Sequence, residues 1–461
     1  MTAPYYQDDE VTLHHGDCID VLAGLPESSV DAVVTDPPYG ISFMGRQWDQ
    51  PGQFGSARGD GKPRGGHANS RGSHDAMAAG SYDLSPAAMR NFQRWCTVWA
   101  SECLRVLKPG GHLLSFGGSR TWHRLAAGIE DAGFEMRDSI AWLYGSGFPK
   151  SLDVSKAIAA TQAGYGGNSG AQRRAAMGEA YSESGRRGNR DGAGRRDTGL
   201  SEHAIELTDD ARAWQGWGTA LKPAFEPIVV ARKPLSGTVA ATVLEHGTGG
   251  LNIDSCRVES SGRPLRVGDP KKTNSAVWGG REDDTFKGGS RAAGSTDDGR
   301  WPTNVVLDEH QAAALDEQSG TLKSGANPTR RASDKFRNAY GDFAGQAECV
   351  AHRGADEGGA SRFFPVFRYE AKASTDERPV VDGVSHPTVK PLDLMRWLIR
   401  LVTPPGGVVL EPFGGSGTTA ESCIHEHMRC IAIEREADYL PLIVARLSKP
   451  IEVGFDFGAL A

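Results

Sequence analysis

The stretch Glu411-Pro412-Phe413-Gly414-Gly415-Ser416-Gly417-Thr418-Thr419 decides how this sequence folds. An apolar run at 408–410 precedes it, and a helix-compatible segment, 418–426, opens out of it. Glycine lets a backbone approach a ligand closely, and a helix N-terminus favours anionic or carboxylate groups. The next apolar run, 429–433, ends in Glu434. An acid about 20 residues past a Gly turn is placed to hold the ribose hydroxyls of a nucleoside cofactor. Turn, helix and distant acid together point to such a cofactor. A nicotinamide dinucleotide stays open at this stage, although the turn lacks the G-x-G-x-x-G spacing.

Strand and helix signals alternate on both sides of this unit. Residues 11–15 alternate as a strand, and 31–35 (DAVVT) form a β-branched strand that stops at Asp36-Pro37-Pro38, since consecutive prolines cannot continue a ladder. Ser85-Pro86 is an N-cap followed by proline at the first helical position. Met89, Phe92, Cys96, Trp99, Cys103 and Val106 then recur at spacings of three and four, which predicts an amphipathic helix that Lys108-Pro109-Gly110-Gly111 stops. Further strands are expected at 112–116, 139–144 and 227–232. Helices are expected at 121–131, 392–402 and 437–447. The pattern predicts an α/β domain with a largely parallel sheet.

The strand signals fall in two blocks, 1–150 and 386–448, with one strand near 230 between them. One domain split by insertions is the simplest account. Glycine numbers 59 of 461 residues, an excess that calls for long loops. Two such loops are read at 45–80 and 162–200, the second carrying seven Arg between Arg173 and Arg196. A basic Gly-rich loop can grip phosphates, and it can equally be a solvated insert. The net charge of −7 excludes a uniformly cationic nucleic-acid coat but not a local basic groove. Seven scattered Cys with no C-x-x-C suggest reduced intracellular thiols, and no metal site is expected. With no signal-peptide pattern and no apolar run long enough to cross a bilayer, the expectation is a soluble cytoplasmic protein without a membrane partner. Trp214 and Trp217 could stack bases, but core packing is the expectation, as it is for Phe363, Phe364, Phe367 and Tyr369.

The second chemical motif is Thr35-Asp36-Pro37-Pro38-Tyr39-Gly40. It places a carboxylate, a fixed prolyl backbone and an aromatic ring at the edge where open α/β sheets bind ligands. The combination suits methylation of an exocyclic amine, whose lone pair is conjugated into the base ring. Hydrogen bonds from the amine to the Asp36 carboxylate and the Pro37 carbonyl would let the nitrogen pyramidalise. Tyr39 could stack on a base taken out of its duplex.

D-P-P-Y together with F-G-G-S-G-T-T resembles the amino-methyltransferases of DNA, which modify adenine N6 or cytosine N4. The catalytic motif precedes the cofactor motif, as in the β group, where target recognition lies between them. His386-Pro387-Thr388-Val389-Lys390-Pro391 is similar to that group's third cofactor signature. Gly16-Asp17 resembles its acidic position near the cofactor's adenine, and Phe225-Glu226-Pro227-Ile228-Val229-Val230-Ala231 resembles one of its sheet strands. The resemblance covers about half the chain: 1–150, 213–233 and 386–448. One departure is Glu411, where many relatives have Asp.

The resemblance implies a doubly wound, seven-stranded, mostly parallel sheet of the class I S-adenosylmethionine-dependent type, in permuted order. The catalytic half would span 1–157 and the cofactor half 386–461. A Gly/Arg-rich insertion would fill 158–212, a returning strand 213–233 and a target-recognition region 234–385. Asp36 and Pro37 would bind the amine, Pro38 would shape the turn and Tyr39 would stack the base. S-adenosyl-L-methionine would be held by Asp17, Pro387, Thr388, Lys390, Glu411, Phe413, Gly414, Gly415, Gly417, Thr418 and Glu434. The substrate would be double-stranded DNA, with adenine N6 favoured because D-P-P-Y is the usual form there and S-P-P-Y in cytosine-N4 enzymes. A homodimer and a companion restriction endonuclease are compatible with the family. A C5-cytosine mechanism is disfavoured, because it needs a Cys after Pro and no Cys here follows Pro. A silent nucleic-acid-binding protein is the alternative outside the class, with the intact Asp36 and Gly turn against it.

Overall fold

The computed structural model describes residues 3–41, 84–145, 151–162, 207–260, 263–269, 289–324, 356–367 and 379–449. The loop expected at 45–80 and the Arg-rich stretch 173–196 lie outside them.

One ten-stranded sheet organises the molecule. In chain order its strands are β1 (Tyr6–Gln7), β2 (Val11–His15), β3 (Val30–Thr35), β4 (Leu107–Phe116), β5 (Glu135–Leu143), β6 (Phe225–Arg232), β7 (Val305–Asp308), β8 (Val366–Phe367), β9 (Val408–Glu411) and β10 (Arg429–Glu434). Their spatial order is β1-β2-β10-β9-β3-β4-β6-β5-β7-β8. The seven strands expected from sequence lie side by side, from β2 to β5. Three more extend the edges: β1 pairs antiparallel with β2, and β7 and β8 continue in parallel beyond β5. Both outer strands at that edge come from the 234–385 segment. Within the central seven, only β6 runs antiparallel, against β4 and β5.

Alternation along the strands builds two cores, one on each face. Ala32, Val34 and Val409 join the cluster under the helices Leu392–Val402, Thr418–His425 and Leu440–Leu447. Val33, Val408 and Leu410 join the cluster under the helix Pro86–Val106. That helix buries the residues its spacing singled out, and Ser85 Oγ caps it by accepting the Ala88 N–H at 3.3 Å. It ends at Val106 and passes directly into β4. Lys108 to Gly111 therefore form the bulged start of a strand, not a loop, with the register against β3 shifting between Val30 and Ala32. Two arginines of Leu392–Val402, Arg396 and Arg400, clamp Glu426 at 2.8 and 2.7 Å and lock that helix to Thr418–His425.

The described cysteines are free and buried. Trp214 and Trp217 depart from the core expectation: they are 44% and 60% exposed and contact each other edge-on at 5.1 Å. The Thr208-capped turn that carries them lies outside both cores, so their outer faces are not drawn into either. Phe363, Phe364 and Phe367 are half-buried, and Tyr369 lies outside the described residues. Among the described residues no helix is long and apolar enough to cross a membrane, and no cluster of three or more His, Cys, Asp or Glu could hold a metal ion.

Candidate active site

A cleft of about 770 Å³ opens at the C-terminal edge of the parallel strands. Strand direction explains what lines it. β3 delivers Asp36 to Tyr39, β9 delivers Glu411 and the Gly turn, β10 delivers Glu434, and β2 delivers Gly16 and Asp17. Because β6 runs the opposite way, its beginning reaches the same edge and brings Glu226. All four catalytic residues expected from sequence line this cleft. So do Asp17, Thr388, Lys390, Glu411, Phe413, Gly414, Gly415, Thr418 and Glu434. Pro387 and Gly417 are not among its walls.

The Gly turn is held close to β10. The Gly414 N–H donates to the Ile433 carbonyl at 2.7 Å, and the Gly415 N–H to Glu434 Oε2 at 2.7 Å. Gly417 has φ +78°, a left-handed conformation that L side chains rarely adopt, and an added Cβ would sit 3.1 Å from Ile443. Gly417 thus shapes the turn from behind. Phe413 packs edge-on against Trp99 at 5.5 Å and tilted against Trp95 at 5.6 Å, and Trp95 is an aromatic wall the sequence reading missed. His386 stacks edge-on against Tyr439 at 4.7 Å, and its Nδ1 meets the Thr388 carbonyl.

Two buried carboxylates have different tasks. Glu434 Oε1 accepts the Glu436 N–H at 2.7 Å, so both its oxygens are fixed by backbone donors. Burial pushes its pKa up to about 7, against the pull of those donors. Glu411 is only 2% exposed. Its carboxylate accepts from Thr35, from Thr419 Oγ1 at 2.7 Å and from the Phe413 N–H at 3.0 Å. Burial raises its pKa to about 8 despite those donors. Glu411 thus spends its hydrogen-bonding capacity on the protein. It ties the residue before Asp36 to the Gly turn, and so fixes the two motifs relative to each other. Asp17 Oδ1 caps the helix Cys18–Ala23 by accepting the Ile19 N–H at 3.0 Å.

Lys390 lies in the cleft beside the catalytic motif. Its ammonium lies 3.0 Å from Asp36 Oδ2 and 2.9 Å from Glu226 Oε2. Burial works against its charge, and the two carboxylates outweigh it, so its pKa lies above the usual lysine range. Burial and the same two carboxylates push the Tyr39 phenol well above its ordinary value, so it stays protonated. Glu226 escaped the sequence reading as a site residue. Its segment was recognised as a strand, but only the antiparallel direction carries its acid to the cleft.

A family model described as DNA methylase, of the N6/N4 type, matches residues 30–445, and the chain belongs to this family. Curated relatives include the type II methyltransferase M.HindIII of Haemophilus influenzae, 24% identical over 247 residues. That match takes in 53% of this chain and 65% of the relative. The type II methyltransferase M2.DpnII of Streptococcus pneumoniae is 25% identical over 142 residues, 31% of this chain and 45% of that one. The chain therefore spans less than two thirds of either relative's length. Among solved structures, the PvuII cytosine-N4-specific DNA methyltransferase aligns over 97% of this chain and 90% of its own, at 13% identity and a TM-score of 0.41. The complex of M1.HpyAVI with S-adenosylmethionine aligns over 95% and 100%, at 14% identity and a TM-score of 0.35. These superpositions are loose, and the fold assignment rests on the strand order above. S-adenosyl-L-methionine is the cofactor that membership of this family implies. The cleft fits it: a Gly turn for close backbone approach, Glu434 for ribose hydroxyls, and Phe413 and Trp95 as apolar walls.

Proposed function

We propose that this protein is a DNA methyltransferase that methylates the N6 amine of adenine flipped out of duplex DNA. The observation that carries the reading is that Asp36-Pro37-Pro38-Tyr39 and the Glu434-bound Gly turn face one cleft from adjacent strand ends. S-adenosyl-L-methionine, when bound, supplies an electrophilic methyl group on a charged sulfur. Asp17, Thr388, the Gly turn and Glu434 hold it. Asp36 and the Pro37 carbonyl accept hydrogen bonds from the base amine and draw its lone pair out of conjugation. Tyr39 forms the wall on which the extruded base stacks. Holding amine and methyl in line contributes much of the rate. Adenine is favoured over cytosine by the D-P-P-Y form. The central 234–385 segment reads the target sequence. A homodimer and a companion restriction endonuclease belong to the same reading.

The test is a transfer assay with labelled S-adenosylmethionine and unmethylated duplex DNA, followed by digestion to nucleosides and mass spectrometry. Label on N6-methyladenine is the expected result. Label on N4-methylcytosine corrects the base and keeps the mechanism. No label despite bound cofactor overturns the DNA reading. Asp36→Ala is expected to abolish transfer while leaving cofactor affinity intact; unchanged turnover would remove Asp36 from the chemistry.

A further inference from the structure

Lys390, Glu226, Asp36 and Tyr39 form a closed cluster at the amine end of the cleft. Lys390 Nζ contacts both carboxylates and donates to the Tyr39 hydroxyl at 3.1 Å. The Tyr39 hydroxyl donates to Asp36 Oδ1 at 2.9 Å and reaches Glu226 Oε2 at 3.3 Å. The rings of Phe116 and Tyr39 cover the ammonium at 4.7 and 5.5 Å. Lys390 and the two carboxylates are 11%, 25% and 21% exposed, so solvent screens them only partly. Two carboxylates around one ammonium leave one uncompensated negative charge. An amine that gains a methyl group must lose one proton, and the cluster carries the charge of a site that receives one.

We propose that Lys390 and Glu226 are positioning residues for the amine. Lys390 holds the Asp36 carboxylate in its accepting orientation. Glu226 holds Lys390 and takes up the Tyr39 hydrogen bond once Asp36 carries the released proton. The inference rests on the methyl-transfer reading above. The nitrogen–carbon bond forms as the sulfur–carbon bond breaks, and the positive charge passes from sulfur to nitrogen. An N–H bond then breaks, its electron pair stays on nitrogen, and the proton goes to Asp36. The Tyr39 hydroxyl turns its hydrogen bond from the neutralised Asp36 to the charged Glu226, and Lys390 stays an ammonium throughout. Glu411, on β9 behind Asp36, also feels this cluster's charge, and Arg120 and Lys222 stand on the cleft walls.

The experiment compares the full-length wild type with Lys390→Met, Glu226→Gln and the double variant. It reads kcat, KM for duplex DNA, the pH–rate profile, and the affinity for S-adenosylhomocysteine by calorimetry. Each single variant is expected to lose about 10- to 100-fold in kcat with little change in S-adenosylhomocysteine affinity. In Lys390→Met the two carboxylates face each other unneutralised, so the acid limb of the profile is expected to rise by about one unit. Removing the second carboxylate in the double variant should return the limb toward the wild-type position. A merely structural role does not produce that return. Cofactor affinity that falls while kcat holds in Lys390→Met would assign the lysine to the cofactor and overturn the inference. An acid limb that moves in neither variant overturns it as well. If Lys390→Met does not fold, Glu226→Gln decides alone: lower kcat with intact cofactor affinity supports the inference, and unchanged kcat overturns it. A wild type that methylates no DNA overturns the function reading and this inference together. Active wild type with an unmoved limb overturns the inference alone.

Discussion

At the scale of single residues, the site is governed by how burial sets the charge of two glutamates. The pKa of Glu434 near 7 places its ionisation in the middle of the working range. In the proposed cofactor mode ribose hydroxyls would donate to the ionised carboxylate, so cofactor affinity is expected to fall as pH drops through about 7. Calorimetric titration at pH 8 and pH 6 measures it, and Glu434→Gln should flatten the dependence. Glu411 bears on stability, in the same pH direction as the buried Glu434. Its folded pKa of about 8 lies above its unfolded value, so the folded state holds the proton more tightly. Stability is therefore full at low pH and declines as pH rises toward 8. Glu411→Gln mimics the protonated acid and should escape that decline, which urea midpoints at pH 5.5 and 8 would register. Glu411→Ala leaves Thr35, Thr419 and the Phe413 N–H without their partner, at about 1–3 kcal/mol for each buried group left unpaired.

Among the elements, helix Pro86–Val106 and the turn before Thr418–His425 bear the clearest local signatures. Ser85→Ala removes the side-chain cap of the first and should cost about 1 kcal/mol in denaturant unfolding. Gly417→Ala forces a Cβ into a left-handed residue against Ile443, and strain of about 1–2 kcal/mol is expected from the backbone alone. That variant should also weaken cofactor binding, since Gly415 and Thr418 are set by the same turn; equal affinity would show that the turn tolerates the change. These elements were readable in sequence because their causes are local: a cap, a proline, a period of 3.6, a Gly turn. Lys108 to Gly111 stop the helix as read, but helix-breaking residues do not specify the next element. Here a neighbouring strand recruits them.

On the scale of the whole molecule, the C-terminal block closes the sheet. β9 stands between β10 and β3, and β2 reaches the sheet only through β10. A chain ending at residue 385 would leave β2 and β3 without these neighbours. It is expected to lose the cooperative unfolding transition, and circular dichroism during urea titration checks this. A retained sharp transition would show that the N-terminal block folds alone.

The sequence by itself determined the α/β class, the seven central strands and the two motifs, because strand period, helix period and Gly or Pro punctuation are properties of neighbouring residues. Most of the candidate site residues it singled out line the cleft, since residues at the ends of parallel strands meet at one edge. Only the tertiary structure decided what those residues do to one another. Lys390 joins Asp36 across 354 positions of sequence, Glu226 arrives on the one antiparallel strand of the central seven, and Glu411 turns inward to bind Thr35 and Thr419. Such pairings depend on strand order, strand direction and burial, and no local pattern encodes them.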